Sequence, residues 1–284
     1  MSEAEVNGVS LYYEECGQGL PLVFVHEWGG DQRSWEPQVR FFARRYRVIT
    51  FNARGYPPST VPLDVTAYSQ RMAVDDIRGV LDRLAIAKAH VCGLSMGAYA
   101  TLIFGLTYPE RALSLTVAGG GYGSSTDRDA FRRITIDMAE RLEREGMAAV
   151  AATYSRGPTR VQFLRKDPHG WREFHDQLAA GSAVGRAMTL RGVQMTRPSF
   201  FELEHDFTRL RVPVLVMVGD EDDPAIEPSL FLKRRAPAAA LVMLPNSGHT
   251  INLEEPDLFN RSLLDFLTAV DGGRWPNRHQ EPQP

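Results

Sequence analysis

The sequence predicts an α/β fold: a mostly parallel sheet of eight strands with helices on both faces, interrupted by an all-helical block. Three observations carry this reading. Short strands that are apolar throughout alternate with helical stretches, as in a parallel sheet covered on both sides. The alternation stops between about residues 123 and 207, where the patterns are helical. A serine flanked by glycines, Gly-Leu-Ser-Met-Gly at 93–97, sits where an apolar run gives way to a helical one. With 284 residues, 43% of them hydrophobic, the chain can build one large core with an insertion.

The elements follow in order. Val6, Asn7-Gly8 and the alternation over 9–15 read as a β-hairpin with a tight turn. Residues 22–26 form a strand, 35–43 an amphipathic helix, 46–51 a strand and 66–84 a longer helix. Strand 89–94 leads through Ser95 into helix 96–108, which ends at Pro109, and 113–118 is the next strand. Helical patterns at 129–145, 147–154, 171–178 and 184–195 fill the inserted block. Alternation returns with strand 212–218, helix 228–235, strand 240–244 and a final helix over 256–270. The reading divides the chain into a core (1–122 and 208–270), a helical cap (123–207) and a mobile tail (271–284) containing Gly272, Gly273 and three prolines.

Composition narrows the function. A net charge of -3 and a pI near 6.2 supply no basic footprint for nucleic acid. No segment approaches membrane-span length and the N-terminus lacks a signal-peptide pattern, so the expectation is a cytoplasmic protein without a membrane partner. Cys16 and Cys92 have no metal or redox spacing, and no disulfide, cofactor or metal is expected. Two decoys fail. Residues 119–123, Gly-Gly-Gly-Tyr-Gly, lack the lysine and spacing of a phosphate loop and read as a hinge. His26-Glu27 has Gly30 where a zinc-protease motif needs its second histidine.

The chemistry begins at Ser95. A serine on a sharp strand-to-helix turn has a strained backbone that requires glycine two residues before and after it, and its hydroxyl is exposed above the sheet. The Met96 N–H, at the helix start, is free to receive a developing oxyanion. A serine hydroxyl needs a base, and the base needs a partner that fixes its tautomer. Among seven histidines, His90 opens a strand; His169, His175 and His205 belong to the inserted block or its exit; His279 lies in the tail. His249 alone follows the last strand outside a tail. Acid candidates cluster at 219–224, Gly-Asp-Glu-Asp-Asp-Pro, after the strand ending at Val218. The resulting order, serine, acid, histidine, places each on a loop at the carboxyl end of a strand, where open parallel sheets form their sites.

These motifs resemble the α/β-hydrolase family over nearly the whole chain. Residues 248–256, Gly-His-Thr-Ile-Asn-Leu-Glu-Glu-Pro, resemble its histidine loop. Residues 52–59 resemble its Asp-x-Arg-Gly-x-Gly-x-Ser loop, with Asn52 and Pro57 as departures. The resemblance implies Asp222 as the acid, with Asp220 and Asp223 as substitutes, and Trp28 as the second backbone donor beside Met96. It makes His26 a scaffold residue.

Glu27 stands where relatives carry glycine. An ionised carboxylate ~5 Å from an oxyanion would cost on the order of 3 kcal/mol at an effective dielectric of ~20, so Glu27 either turns into a salt bridge or faces substrate as a modulator.

Within the family the chain looks most like enol-lactonases and small-ester hydrolases. The implied activity is hydrolysis of a small-molecule carboxylic ester or lactone by an acyl-enzyme route. Alternatives are a carbon–carbon hydrolase of ring-fission products, which usually has tryptophan where Thr250 stands, a cofactor-free perhydrolase, and a ligand-binding receptor on the same scaffold. Ser95 argues against epoxide hydrolases and haloalkane dehalogenases, whose nucleophile is aspartate. Phe131, Met138, Tyr154, Phe163, Trp171, Phe174, Met188 and Met195 are candidates for an acyl cavity, of which only a few are expected to touch ligand. Oligomeric state is left open, a homo-oligomer included.

Overall fold

The structure, a computed structural model, describes residues 2–124 and 127–277. Eight strands form one sheet: β1 (Ser2–Val6), β2 (Val9–Cys16), β3 (Pro21–Val25), β4 (Arg47–Phe51), β5 (Ala89–Leu94), β6 (Ala112–Ala118), β7 (Val214–Gly219) and β8 (Ala239–Leu244). Their spatial order is β1-β2-β4-β3-β5-β6-β7-β8. The hairpin β1–β2 and its junction with β4 are antiparallel; every other pairing is parallel.

The period of two along each strand sorts the side chains into two cores. Val23 and Val25 of β3 join Val91, Val117, Val214 and Val216 on one face. Leu22 and Phe24 join Cys92, Leu94, Leu215 and Met217 on the other. On the second face lie α1 (Glu36–Phe42) and, from the chain's end, the last helix; on the first lie α2 (Gln70–Arg83) and α3 (Met96–Thr107). The predicted helix 66–84 begins at Gln70 because Ser69 Oγ accepts the Met72 N–H at 3.1 Å, and a separate 3₁₀ turn, Val65–Ala67, precedes it.

Between β6 and β7 the chain is helical: α4 (Arg128–Tyr154), α5 (Val161–Lys166), α6 (Pro168–Ala179), α7 (Ala183–Thr189) and α8 (Glu204–Arg209). The predicted helices 129–145 and 147–154 are two arms of α4, kinked at Gly146, whose φ of 81° is outside the helical range. Residues 184–195 resolve into α7 followed by a π-helical turn, Leu190–Gln194. Helices α5 and α8 were not anticipated, being too short for a period to show. A separate apolar cluster joins this insertion to the loops at the carboxyl ends of the strands, with Trp28, Tyr56 and Met96 on the sheet side and Leu142, Trp171 and Phe174 on the other.

After β7 come α9 (Asp223–Arg235), α10 (Ile251–Glu254) and α11 (Pro256–Asp271). Helix α9 starts five residues before the predicted start at Pro228: Pro224 occupies its first turn, where no N–H is needed, and Pro228 lies inside. The expected mobile tail is corrected at its beginning. Asp271 accepts the Tyr46 hydroxyl at 2.8 Å, and Trp275 Nε1 donates to the Ala238 carbonyl at 2.7 Å with its ring against Phe266. The large apolar ring outweighs the neighbouring glycines. Residues 278–284, including His279, lie outside the described residues.

Candidate active site

Ser95 lies between β5 and α3 with φ 57° and ψ −109°, a conformation side-chain-bearing residues rarely adopt. Its N–H is held by the Ala118 carbonyl at 2.8 Å. The flanking glycines are explained by space. A Cβ on Gly93 would sit 2.2 Å from the Gly97 carbonyl oxygen, and one on Gly97 would sit 2.1 Å from that of Val25. Neither neighbour is a flexible side chain. Gly97→Ala is therefore expected to destabilise by about 3 kcal/mol or more and lower Tm by roughly 6–12 °C. Thermal unfolding followed by circular dichroism checks this, and a melt within about 2 °C of the parent protein rejects the steric argument.

Although Ser95 occupies the N-cap of α3, its side chain makes no capping bond. Its Oγ lies 2.7 Å from His249 Nε2. His249 Nδ1 lies 2.7 Å from Asp222 Oδ2. Asp222 is likewise at a helix N-cap, that of α9, without a side-chain capping bond, so its carboxylate is free to engage the imidazole. Three loops separated by up to 154 residues thus bring these side chains into one line. Of the substitutes, Asp220 accepts the Ser247 N–H at 3.0 Å and thereby braces the histidine loop, and Asp223 begins α9.

Other residues hold His249 in place. Its N–H donates to the Thr159 carbonyl of the insertion at 2.8 Å. Glu254 accepts from the Gly248 N–H (2.7 Å), the Thr250 N–H (2.9 Å) and the Thr250 hydroxyl (2.9 Å), tying the loop from both sides of the histidine. Burial pushes the Glu254 carboxyl above its usual range, against the opposing pull of these donors. Sequence reasoning missed Glu254 and Thr159. The spacing of Thr250 and Glu254 carried a signal for the former; nothing local marked the latter.

The backbone N–H groups of Trp28 and Met96 have no protein acceptor among the described residues. Trp28 is fixed by its indole N–H, which donates to the Arg186 carbonyl at 3.2 Å. His26 is a scaffold: Nδ1 donates to the Glu27 carbonyl at 2.7 Å, Nε2 accepts the Ala53 N–H at 3.0 Å, and burial lowers its pKa to about 4. The departure at Asn52 also has a reason. Its Oδ1 accepts the Gln32 N–H at 2.8 Å while its Nδ2 donates to the Pro57 carbonyl at 2.7 Å, and an aspartate lacks the second donor.

Of the two arrangements open to Glu27, the structure has the salt bridge. The carboxylate is buried, pairs through both oxygens with the Arg160 guanidinium and contributes nothing to the cavity wall, so the salt-bridge alternative is the one present and the substrate-facing alternative is corrected. Burial alone would raise the Glu27 carboxyl, but Arg160 more than offsets this and holds it below the ordinary carboxylate range. Arg160, in the loop after α4, had no sequence signal because its partner is 133 residues away.

A cavity of about 710 Å³ opens over Ser95 and His249. Of the anticipated apolar residues, Phe131, Met138 and Tyr154 line it, joined by Ile134 and Leu190. Phe163, Trp171 and Phe174 instead hold the insertion together. Met188 and Met195 are also absent from the wall.

The profile of the alpha/beta hydrolase family matches residues 22–262. The chain belongs to the α/β-hydrolase family. Among family relatives, 3-oxoadipate enol-lactonase 1 of Acinetobacter baylyi is 28% identical over 251 residues, covering 88% of this chain and 89% of its own. The 2-hydroxy-6-oxo-6-phenylhexa-2,4-dienoate hydrolase of Burkholderia cepacia is 27% identical, covering 94% of both chains. A thermophilic esterase from Thermogutta terrifontis superposes on this α/β-hydrolase with a TM-score of 0.85 at 25% identity, over 95% of this chain and 98% of the other. An enol-lactonase, a dienoate hydrolase and an esterase thus all stand among its similar proteins.

Proposed function

We propose that this α/β-hydrolase cleaves a carboxylic ester or lactone through an acyl-enzyme. The observation that carries the reading is the pair of 2.7 Å contacts from Ser95 through His249 to Asp222, at a cavity that Ser95, His249 and Trp28 line. In this reading His249 takes the Ser95 proton as the oxygen attacks the substrate carbonyl. Asp222 holds the imidazole with its proton on Nδ1 and stabilises the cation that forms. The N–H groups of Trp28 and Met96 receive the negative charge of the tetrahedral intermediate. His249 then gives the proton to the leaving alcohol oxygen, and water repeats the sequence to release the acid. The helical insertion acts as a cap: Phe131, Met138 and Leu190 supply an apolar wall for the acyl group.

The carbon–carbon reading has less support at Thr250, the position after the histidine. It is buried and its hydroxyl is committed to Glu254, so it presents no group to substrate.

Diethyl p-nitrophenyl phosphate tests the assignment without knowledge of the natural substrate. Attack by the Ser95 oxygen on phosphorus expels p-nitrophenolate and leaves a diethylphosphoryl ester. Intact-protein mass spectrometry is expected to show one adduct per chain, on the peptide carrying Ser95, with loss of esterase activity in step. Labelling elsewhere, or none, would reject Ser95 as the activated nucleophile.

A further inference from the structure

The cavity wall is unbalanced in charge. Asp220, Glu221, Asp222 and Asp223 all line it, and among the described residues the sole lysine or arginine in the wall is Arg160. That guanidinium is already engaged: Nη1 donates to Glu27 Oε1 at 2.8 Å, Nη2 donates to Glu27 Oε2, and Nη2 also donates to the Tyr154 hydroxyl at 2.7 Å. Its charge is cancelled from behind by a carboxylate that substrate cannot reach. Arg186 is a second buried cation nearby, stacked 4.2 Å from the Tyr56 ring centroid and 5.7 Å from that of Trp28, and it contributes no atom to the wall. Of the wall carboxylates, Asp222 faces His249, while among the described residues Asp220 and Glu221 accept side-chain bonds from neutral donors, the Ser247 N–H and the Gln162 amide.

Resting on the acyl-hydrolase reading above, we infer that Glu27 is a specificity-determining residue: by occupying Arg160 it leaves the cavity with no available cation and restricts the enzyme to acyl groups that carry no charge. A free carboxylate on the acyl chain would enter a field set by four acidic side chains and find no unpaired lysine or arginine in the wall, a repulsive element that selects against it. Removing the Glu27 charge while keeping its shape frees the guanidinium, which then presents a forked donor set suited to a carboxylate. One residue behind the oxyanion loop thereby decides whether the wall accepts neutral esters or anionic ones.

The test compares p-nitrophenyl hexanoate with the mono-p-nitrophenyl ester of adipic acid at neutral pH. The two acyl chains have the same number of carbons and differ in a terminal methyl or carboxylate. In the parent protein kcat/KM for the neutral ester is expected to exceed that for the anionic one by about a hundredfold, a gap that narrows as salt rises from ~0.05 to ~0.5 M. Glu27→Gln is expected to reduce the ratio at least about tenfold, and the double variant Glu27→Gln/Arg160→Gln to return it towards the parent value. The idea is overturned if the parent enzyme handles both esters within about threefold, or if folded Glu27→Gln leaves the ratio unchanged. Should Glu27→Gln fail to fold, the parent ratio and its salt dependence still decide. Failure of the hydrolase reading would look different, with neither ester turned over. Calorimetric binding of methyl hexanoate against monomethyl adipate would then read charge selection without chemistry, and equal affinities would reject it.

Discussion

Ser95→Ala is expected to lower kcat for p-nitrophenyl hexanoate by about a thousandfold or more, with KM within about threefold of the parent value. The Ser95 oxygen is the hydroxyl that His249 Nε2 engages, at 2.7 Å, and among the described residues no other serine or threonine is placed on that nitrogen. On the acyl-enzyme reading, removing it deletes the covalent route while the N–H groups of Trp28 and Met96 and the cavity wall stay in position, so the loss falls on turnover rather than on binding. Stability is not the confounder, because alanine keeps the Cβ and the same backbone strain at φ 57°. Steady-state rates at equal folded concentration, with circular dichroism as the check, decide the matter. A variant retaining a tenth of parental kcat would mean that another nucleophile, or no covalent step, serves the reaction.

Asp222→Asn is expected to cost a comparable factor, on the order of ten-thousandfold in kcat, at nearly unchanged shape. In the proposed reaction the carboxylate, 2.7 Å from His249 Nδ1, accepts the proton on that nitrogen and so leaves Nε2 to take the proton of Ser95. An amide in that place can turn its NH₂ to Nδ1 and hold the imidazole in the opposite tautomer, with the proton on Nε2, where it cannot act as a base. The neighbouring acids provide internal controls. Asp220→Asn keeps an oxygen to accept the Ser247 N–H, and the His249 imidazole pairs with Asp222 rather than with Asp223, so each asparagine variant is expected to stay within about tenfold of the parent rate. If Asp220→Asn or Asp223→Asn were instead the damaging change, the acid would have been assigned to the wrong carboxylate.

How much of this was legible beforehand differs residue by residue. Helix starts moved where a side chain or a proline decided them: Ser69 delayed α2 by capping at Met72, and Pro224 in a first turn started α9 well before Pro228. The tail reading failed at Trp275 because composition counts glycines and prolines but cannot tell that one indole will find Phe266 and the Ala238 carbonyl. The acyl cavity was predicted by residue type, and type alone did not separate Phe131, which lines it, from Phe174, which packs among the insertion helices. Glu27 was visible as an anomaly from the cost of a carboxylate near an oxyanion. Its answer, Arg160, was not.

What the order of residues determined by itself was local or periodic. The alternation of apolar strands and helices, the glycine spacing around Ser95 and the turn-rich loops after the strands depend on backbone sterics and burial patterns that act over a few residues. What tertiary structure alone decided was every partnership across long separations: His249 with Ser95 across 154 residues, Glu27 with Arg160 across 133, and the Thr159 carbonyl that holds the histidine loop. Such pairs leave no period in the chain. They form because a buried polar group without a partner is costly, and which partner it meets depends on how the insertion settles over the sheet.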